Sequence, residues 1–218
     1  MPYTLYNRYG SGGFAVEAAL TLAGAPFHLE ALDSQPSTVL PESFRSINPW
    51  NQVPTLILPD GTMMTETGAI LIHIADAFPG DGVGPDRGTS EHAMFLRWTV
   101  FMSVNIYEGV LRLVYPDRYT TEKDGEAGVV KAARRRNHEA FLVLEREVQS
   151  GNFLCGDTMS GADIYLAMLC AWHDRHDALE DLAGCRALTH RVAGHPGVTP
   201  VWQRNFDHRL KTKWGRGA

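Results

Sequence analysis

The alternation of hydrophobic and polar residues divides the chain into a mixed first part and a helical second part. The first part predicts a strand, a helix, a strand, an irregular segment, two short strands and a helix. The strands are predicted over 3–6, 27–32, 55–58 and 63–65, and the helices over 14–23 and 66–78. Because a strand–helix–strand unit of this length joins parallel strands, we expect a parallel pair followed by an antiparallel hairpin.

The second part is helical throughout and follows a segment rich in proline, glycine and aspartate at residues 79–88. Such a segment, without hydrophobic periodicity, is typical of a domain boundary. We therefore expect an α/β domain over 1–79, a linker over 80–88 and an all-α domain over 89–218. Within the all-α domain the pattern predicts helices over 91–114, 125–149 and 160–173, with two shorter helices after them.

Composition narrows the function classes. The chain has 218 residues, 44% of them hydrophobic, and a net charge of -5. This mild negative charge argues against a nucleic acid partner, and no hydrophobic run approaches the ~20 residues of a membrane helix. The N-terminus carries no secretory signal pattern. The three cysteines, Cys155, Cys170 and Cys185, form no C-x-x-C pair, which favours free thiols and a cytoplasmic location.

The dipeptide Val53–Pro54 stands at the start of a predicted strand. A cis proline in a type VI turn would direct the Val53 backbone groups out of the sheet edge, where they are free to pair with a peptide. A trans proline at the start of an edge strand is the alternative. The sequence alone leaves both open.

Thr65, Glu66 and Thr67 precede a hydrophobic helical run. Thr65 is the candidate N-cap, and a carboxylate at Glu66 suits the positive end of the helix dipole. The same geometry also suits a ligand, because free N–H groups and the Thr67 hydroxyl bind a carboxylate while Glu66 pairs with an ammonium group. A carboxylate and an amine on one carbon form an amino-acid head group.

The loop Arg8–Phe14, sequence RYGSGGF, joins the first strand to the first helix. Its glycines permit close backbone approach, but it is neither a dinucleotide-binding nor a P-loop motif. A hydroxyl at a helix N-terminus stabilises a thiolate, which makes Ser11 a candidate for thiol activation. A plain loop or capping role for Ser11 is the alternative.

We interpret two further motifs as structural, without a catalytic or metal-binding role. Ser160 and Asp163 form an S-x-x-D capping box ahead of a hydrophobic helix, and we interpret it as a folding element. His173 and His176 lie near Asp174 and Asp177, but no third ligand follows from the local pattern. We therefore predict no metal site.

Three segments in order resemble the cytosolic glutathione transferases. NPWNQVPTL (48–56) is similar to the family segment N-P-x-x-x-V-P, although Asn51 stands where glycine is common. TETGAIL (65–71) is similar to E-S-x-A-I-L, and SGADIYLA (160–167) to the capping box of the sixth helix. The resemblance covers nearly the whole chain and implies a thioredoxin-like βαβ–ββα domain followed by an all-helical domain.

The resemblance implies a glutathione site. Pro54 is then cis, and the backbone of Val53 pairs with the cysteinyl unit of glutathione. Glu66 and Thr67 hold the γ-glutamyl head, with threonine keeping the hydroxyl of the usual serine. Gln52 takes the position that commonly reaches the glycyl carboxylate.

The resemblance also implies a hydroxyl that contacts the glutathione sulfur and lowers the pKa of its thiol. Ser11 is the first candidate, although alignment on the helix AVEAAL brings the usual serine nearer Gly10. Tyr9 and Tyr6 are the alternatives, since some classes of the family use tyrosine.

A second-substrate pocket is implied along the predicted helix 91–114, where Tyr107, Arg112 and Tyr115 are candidates for contact with a small hydrophobic electrophile. The strong hydrophobicity of this helix is typical of packing between domains and across a homodimer. The implied activity is a detoxification transferase. A glutathione-dependent isomerase, dehalogenase or reductase, and a non-catalytic binding module, are the alternatives.

Overall fold

Four strands form one mixed sheet in the order β2–β1–β3–β4 in the computed structural model, which describes residues 1–32, 40, 42–173 and 181–207. The elements of the first part are β1 (Tyr3–Asn7), α1 (Gly13–Leu22), β2 (Phe27–Ala31), β3 (Thr55–Ile57), β4 (Met63–Met64) and α2 (Thr67–Ala77), with a 3-10 turn at Glu42–Ser46. This order confirms the predicted βαβ–ββα arrangement.

Strand pairing follows the predicted directions. In β1, Leu5 lies opposite Leu29 of the parallel strand β2 and opposite Leu56 of the antiparallel strand β3. Leu56 in turn pairs with Met64 of β4. Leu5 and Leu56 are fully buried, so the two central strands carry the apolar residues that face the core.

Helix α1 joins the two parts of the molecule. Its residues from Gly13 to Leu20 are all buried, including the carboxylate residue Glu17. The helix packs against α2 on one side and against α6 (Gly161–His173) and α8 (Thr199–Trp202) on the other. The hydrophobic core is therefore continuous from the sheet into the helical part.

The second part consists of helices. They are α3 (Ser90–Phe101), α4 (Glu108–Val114), α5 (Glu126–Val148), α6, α7 (Ala183–Ala193) and α8, with π-helical segments at Met102–Tyr107 and Gln203–Asp207 and 3-10 turns at Pro116–Arg118 and Lys123–Gly125. No helix within the described ranges has both the length and the apolar character needed to cross a membrane. The fold class predicted from the sequence is confirmed.

The long helix predicted over 91–114 is divided by the π-helical segment Met102–Tyr107. Here Ser103 and Asn105 donate side-chain hydrogen bonds to the carbonyls of Thr99 and Phe101, each four residues earlier. Side-chain bonds of this kind compete with the regular backbone ladder and distort helices. Hydrophobic periodicity does not record such a change of winding, so the sequence predicted one uninterrupted helix.

The aspartate half of the predicted capping box forms ahead of α6, whereas the Asp163 amide donates to the Ser160 carbonyl at 3.1 Å and not to the Ser160 hydroxyl. The amide and hydroxyl groups of Ser160 both donate to one carboxylate oxygen of Asp163 at 2.8 Å, and the Leu154 amide donates to the other at 2.8 Å. Burial raises the pKa of Asp163 to about 6, while these three hydrogen bonds oppose the rise. The aspartate therefore fixes the start of a helix whose residues are almost all buried.

Candidate active site

A cavity of about 220 Å³ lies between the sheet end of the first part and the segment α3–α4 of the second. Both parts contribute walls. The lining residues are Asn48, Trp50, Gln52, Val53, Pro54, Thr65, Glu66, Thr67, Gly68, Ser103, Tyr107, Glu108, Leu111 and Tyr165. The structure thus brings together all five residues predicted to bind glutathione and one of the three predicted to contact a second substrate.

One wall is the segment that enters β3. The Val53–Pro54 peptide bond is cis. The side-chain amide of Asn48 donates to the Gln52 carbonyl at 2.8 Å and to the Thr55 hydroxyl at 3.1 Å, and these two bonds hold the segment in place. Within the described part of the chain, no hydrogen bond occupies the backbone groups of Val53. These groups are therefore available to an extended ligand.

Asn51 has a backbone φ of 54°, in the left-handed region. Glycine takes this conformation without strain, and asparagine is one of the side chains that tolerate it best. This explains why glycine is common at the corresponding position of the family segment and why asparagine replaces it here. The Asn51 amide N–H also donates to the Asn48 carbonyl at 2.8 Å, which closes the turn.

A second wall is the N-terminus of α2, where the prediction of Thr65 as N-cap is wrong. The helix begins at Thr67, and its N-cap is Glu66, whose side chain makes no capping hydrogen bond. Glu66 has φ 65° and ψ 107°, a conformation that costs energy for a residue with a side chain. Among the described residues, no side chain caps the first-turn N–H groups of α2, as in anion-binding helix termini.

The N-termini of α1 and α2 meet at Gly12. The Thr67 hydroxyl donates to the Gly12 carbonyl at 3.3 Å. A Cβ atom at Gly12 would lie 2.6 Å from the Tyr107 hydroxyl and 2.7 Å from the Thr67 hydroxyl, so only glycine fits without movement. Three elements that are distant in sequence are therefore in contact at this point.

The Tyr107 phenol remains protonated at neutral pH. Burial raises the pKa of Tyr107, and the nearby Glu66 carboxylate raises it further, while a hydrogen bond with Thr67 opposes the rise. Protonated Tyr107 therefore presents a hydrogen-bond donor at the junction of the two helix termini. The sequence analysis had placed this residue in a second-substrate pocket without a contact to Thr67.

The three candidates for thiol activation lie outside the cavity lining. Ser11 donates its hydroxyl proton to Oδ1 of Asn7 at 2.8 Å and accepts a hydrogen bond from the Gly13 amide at 3.3 Å. Tyr6 packs edge-on against Phe44, with ring centroids 5.4 Å apart, and Tyr9 is half-buried. Ser11 nonetheless directly precedes Gly12, which contacts the cavity residues Thr67 and Tyr107. The role of Ser11 stays a prediction.

Arg112 and Tyr115, the other second-substrate candidates, do not line the cavity. The guanidinium of Arg112 pairs with Glu108 at 3.4 Å and lies 4.7 Å from the centroid of the Tyr119 ring. The Tyr115 ring lies 4.0 Å below the guanidinium of Arg118. Both side chains take part in local packing at the end of α4.

The sequence analysis missed two lining residues on the same helical face as Tyr107. Ser103 and Leu111 precede and follow Tyr107 by four residues, so helical periodicity alone would have identified them. Tyr165 of α6 was also missed, and its hydroxyl lies 3.2 Å from that of Ser103. Tyr165 had no comparable signal, because only tertiary packing brings α6 to this wall.

Among the described residues, no group of three histidine, cysteine or acidic side chains is arranged to hold a metal ion. His173 is buried in α6, whereas Asp174, His176 and Asp177 lie outside the described residues. The prediction of no metal site therefore stays a prediction.

Comparison with known proteins identifies the family. Residues 14–77 match the glutathione S-transferase N-terminal domain and residues 101–196 the glutathione S-transferase C-terminal domain. Glutathione S-transferase GST-4.5 of Xanthomonas campestris is 30% identical over 184 residues, 84% of this chain and 88% of that protein. The chain belongs to the glutathione S-transferase family.

Two more relatives show how far the similarity extends. An uncharacterised glutathione-transferase-like protein of Escherichia coli is 27% identical over 92% of this chain and 97% of its own length. The structure of a sphingomonad glutathione S-transferase, solved with glutathione, superimposes with a TM-score of 0.78 at 26% identity. The superimposed region covers 92% of this chain and 97% of the sphingomonad chain, so the similarity includes both domains.

The close approach at Gly12 gives a prediction. Gly12→Ala is expected to lower the free energy of unfolding by about 1–3 kcal/mol, because the new methyl group displaces the Tyr107 and Thr67 hydroxyls. Gly128→Ala, on the exposed side of α5 with open space around it, is the control and is expected to be stabilising by about 0.5–1 kcal/mol. Urea denaturation measures both, and equal effects of the two substitutions would contradict the packing at Gly12.

Proposed function

We propose that the protein is a glutathione transferase, which binds glutathione in this cavity and adds its thiolate to a small electrophile. The observation that carries the proposal is the N-terminus of α2, with no side-chain cap from Glu66, in one cavity with Val53. The described residues supply no hydrogen-bond partner for the Val53 backbone groups. An amino-acid head group followed by an extended peptide matches this combination of charges and backbone groups.

The proposed binding mode uses each wall for one part of the tripeptide. The γ-glutamyl carboxylate accepts hydrogen bonds from the first-turn N–H groups of α2 and from the Thr67 hydroxyl, which exchanges its bond to the Gly12 carbonyl for this one. The ammonium group of the same head group pairs with Glu66. The cysteinyl unit pairs with the Val53 backbone as an added strand. An extended tripeptide spans roughly 10 Å, which carries its glycyl end toward the exposed side chain of Gln52.

Binding of glutathione tests this arrangement through Thr67. Thr67→Val keeps the side-chain volume but removes the hydroxyl, so the Kd for glutathione is expected to rise about tenfold, the loss of one hydrogen bond to a charged group. Thr67→Ser keeps the hydroxyl and is expected to bind within about threefold of the wild type. Isothermal titration calorimetry measures both. Equal affinity of the valine and serine variants would refute the role of the hydroxyl.

For thiol activation we propose that the Ser11 hydroxyl exchanges its bond to Asn7 for one to the glutathione sulfur. The N-terminus of α1 follows directly at Gly13, and its partial positive charge favours a thiolate. Positioning of the thiolate next to the electrophile then supplies the rest of the rate increase. Tyr9 and Tyr6 remain the alternative donors.

Removal of this hydroxyl changes the pH dependence of conjugation. A donor to the sulfur stabilises the thiolate and lowers its pKa, so Ser11→Ala is expected to raise the midpoint of the pH profile by about one unit. The rate with an activated chloronitrobenzene at neutral pH falls accordingly, while the KM for glutathione is unchanged. If the profile of Ser11→Ala matches the wild type, the hydroxyl belongs to another residue, and Tyr9→Phe and Tyr6→Phe identify which.

The second substrate is proposed to bind against the helical wall of the cavity. Tyr107, Leu111 and Tyr165 line this wall with two aromatic rings and one aliphatic side chain, whereas Asn48, Gln52, Glu66 and Thr67 line the other side of the cavity. A small hydrophobic electrophile suits such a surface. Because Arg112 and Tyr115 pack elsewhere, we restrict the predicted pocket to the lining residues.

A reductase mechanism that uses a protein thiol is less favoured, since no cysteine lies in the loop 7–13 and all three cysteines are buried. An isomerase or dehalogenase would use the same thiolate on another electrophile. A binding module is the remaining alternative, because fold does not determine chemistry. Retention on immobilised glutathione without conjugation across a broad panel of electrophiles would favour the module.

We propose that the protein forms a homodimer through the exposed side of α3 and the π-helical segment after it. Leu96, Val100 and Val104 follow one another at intervals of four residues and are 36%, 55% and 62% exposed. Large apolar side chains aligned in this way on a surface are typical of interaction sites.

A charge in the centre of this surface is expected to prevent association. Val100→Asp should sediment as a monomer at micromolar concentration where the wild type sediments as a dimer, because the carboxylate would be desolvated in the interface. Ala132→Asp, at an exposed position of α5, is the control and should remain dimeric. A monomeric wild type in analytical ultracentrifugation would contradict the dimer.

A further inference from the structure

Gly10, in the loop between β1 and α1, is held on both sides by the helical part of the molecule. Its amide donates to Oδ1 of Asn205 at 3.0 Å, and its carbonyl accepts a hydrogen bond from the indole of Trp172 at 3.0 Å. Both bonds are buried and span 195 and 162 residues of sequence. Gly10 has a φ of 72°, so this turn uses a backbone conformation that favours glycine.

Asn205 is itself fixed by a buried polar cluster. Its side-chain amide donates to Oε2 of Glu17 at 3.0 Å and to the Val201 carbonyl at 2.9 Å. Arg204 donates to the other Glu17 oxygen at 2.7 Å and 3.2 Å. Asn205 and Glu17 are both fully buried. Because a buried carboxylate requires partners, the pairing with Glu17 leaves one orientation for the Asn205 amide.

This cluster acts on the cavity through the loop. From Gly10 the chain continues through Ser11 to Gly12, whose carbonyl accepts the Thr67 hydrogen bond. Trp172 also packs edge-on against Tyr107, with ring centroids 5.1 Å apart. The helical part therefore holds the loop at Gly10, two residues before Gly12 and its contacts with the cavity residues.

We propose that Asn205 is a positioning residue, which holds Gly10 so that Ser11 and the N-terminus of α1 lie at the correct distance from the bound thiol. Asn205 does not touch the ligand and acts only through the loop backbone. The inference rests on the proposed glutathione transferase activity and assigns a role in it to Asn205. In this proposal a residue of the second domain holds the loop of the first domain that carries Ser11.

The test compares Asn205→Ala with a control of similar structural cost. Glu145→Ala removes another buried side chain of the helical part, one that accepts the amides of Gly184 and Cys185 at 2.7 Å and 2.8 Å without contact to the loop. Three quantities are measured for each variant. They are the hydrogen exchange of residues 10–13 in the ligand-free protein, and the pH profile of conjugation with the KM for glutathione.

Asn205→Ala is expected to increase amide exchange at residues 10–13 at least about tenfold and to lower kcat about tenfold, because small displacements of a positioned group have large effects on rate. The midpoint of the pH profile is expected to move upward, while the KM for glutathione stays close to that of the wild type because Asn205 does not touch the ligand. Glu145→Ala should lower stability without either effect. An unchanged loop exchange or pH midpoint in Asn205→Ala, or an equal shift in Glu145→Ala, would overturn the proposal.

A second variant keeps the test decisive if Asn205→Ala does not fold. The double substitution Asn205→Asp with Glu17→Gln exchanges the amide and the carboxylate, so an acceptor for the Gly10 amide is retained and the total charge is unchanged. It is expected to keep the loop amides protected and the pH midpoint close to that of the wild type. Unprotected loop amides in the folded double variant would count against the positioning role.

The experiment separates failure of the proposed transferase activity from failure of the proposed role of Asn205. A wild-type protein that neither binds glutathione in calorimetry nor conjugates any electrophile refutes the transferase, and with it the catalytic meaning of the loop position. Amide exchange at Gly10 needs no ligand, so the contact with Asn205 is measured in either case.

Discussion

The close approach of two helix N-termini at Gly12 is the constraint on which the cavity depends. The hydroxyls of Thr67 and Tyr107 occupy the space that a side chain at this position would fill. Since α1 and α2 both begin here, their partial positive charges add at one end of the cavity. The proposed sites for an anionic head group and for a thiolate both depend on this one packing contact.

The helical part does more than cover the sheet. It provides Tyr107 and Tyr165 on one wall of the cavity and, through Trp172 and Asn205, both hydrogen-bond partners of Gly10 behind the site. Ser103 and Tyr107, both in the π-helical segment between α3 and α4, line the same wall. The proposed activity is thus a property of the contact between the domains and not of the sheet domain alone.

Backbone strain and buried charge are concentrated around the same region. Asn51 and Glu66 are the two non-glycine residues with positive φ among those described, and both are next to or within the cavity walls. The buried carboxylate of Glu17 lies on α1, directly behind the loop. Positive φ at residues with side chains and buried charges both lower the stability of the folded state. Their concentration around the cavity is typical of functional sites.

The sequence by itself determined the order of strands and helices, the pairing of Ser160 with Asp163 and five of the residues that line the cavity, because each follows from local periodicity or from a short segment that resembles the family. Helical spacing from Tyr107 would also have given Ser103 and Leu111. The remaining features were decided only by tertiary structure: the π-helical winding, the contact of Thr67 with Gly12, and the bond from Asn205 to Gly10. These contacts join residues far apart in the chain, and their energies depend on packing and burial that no local pattern encodes.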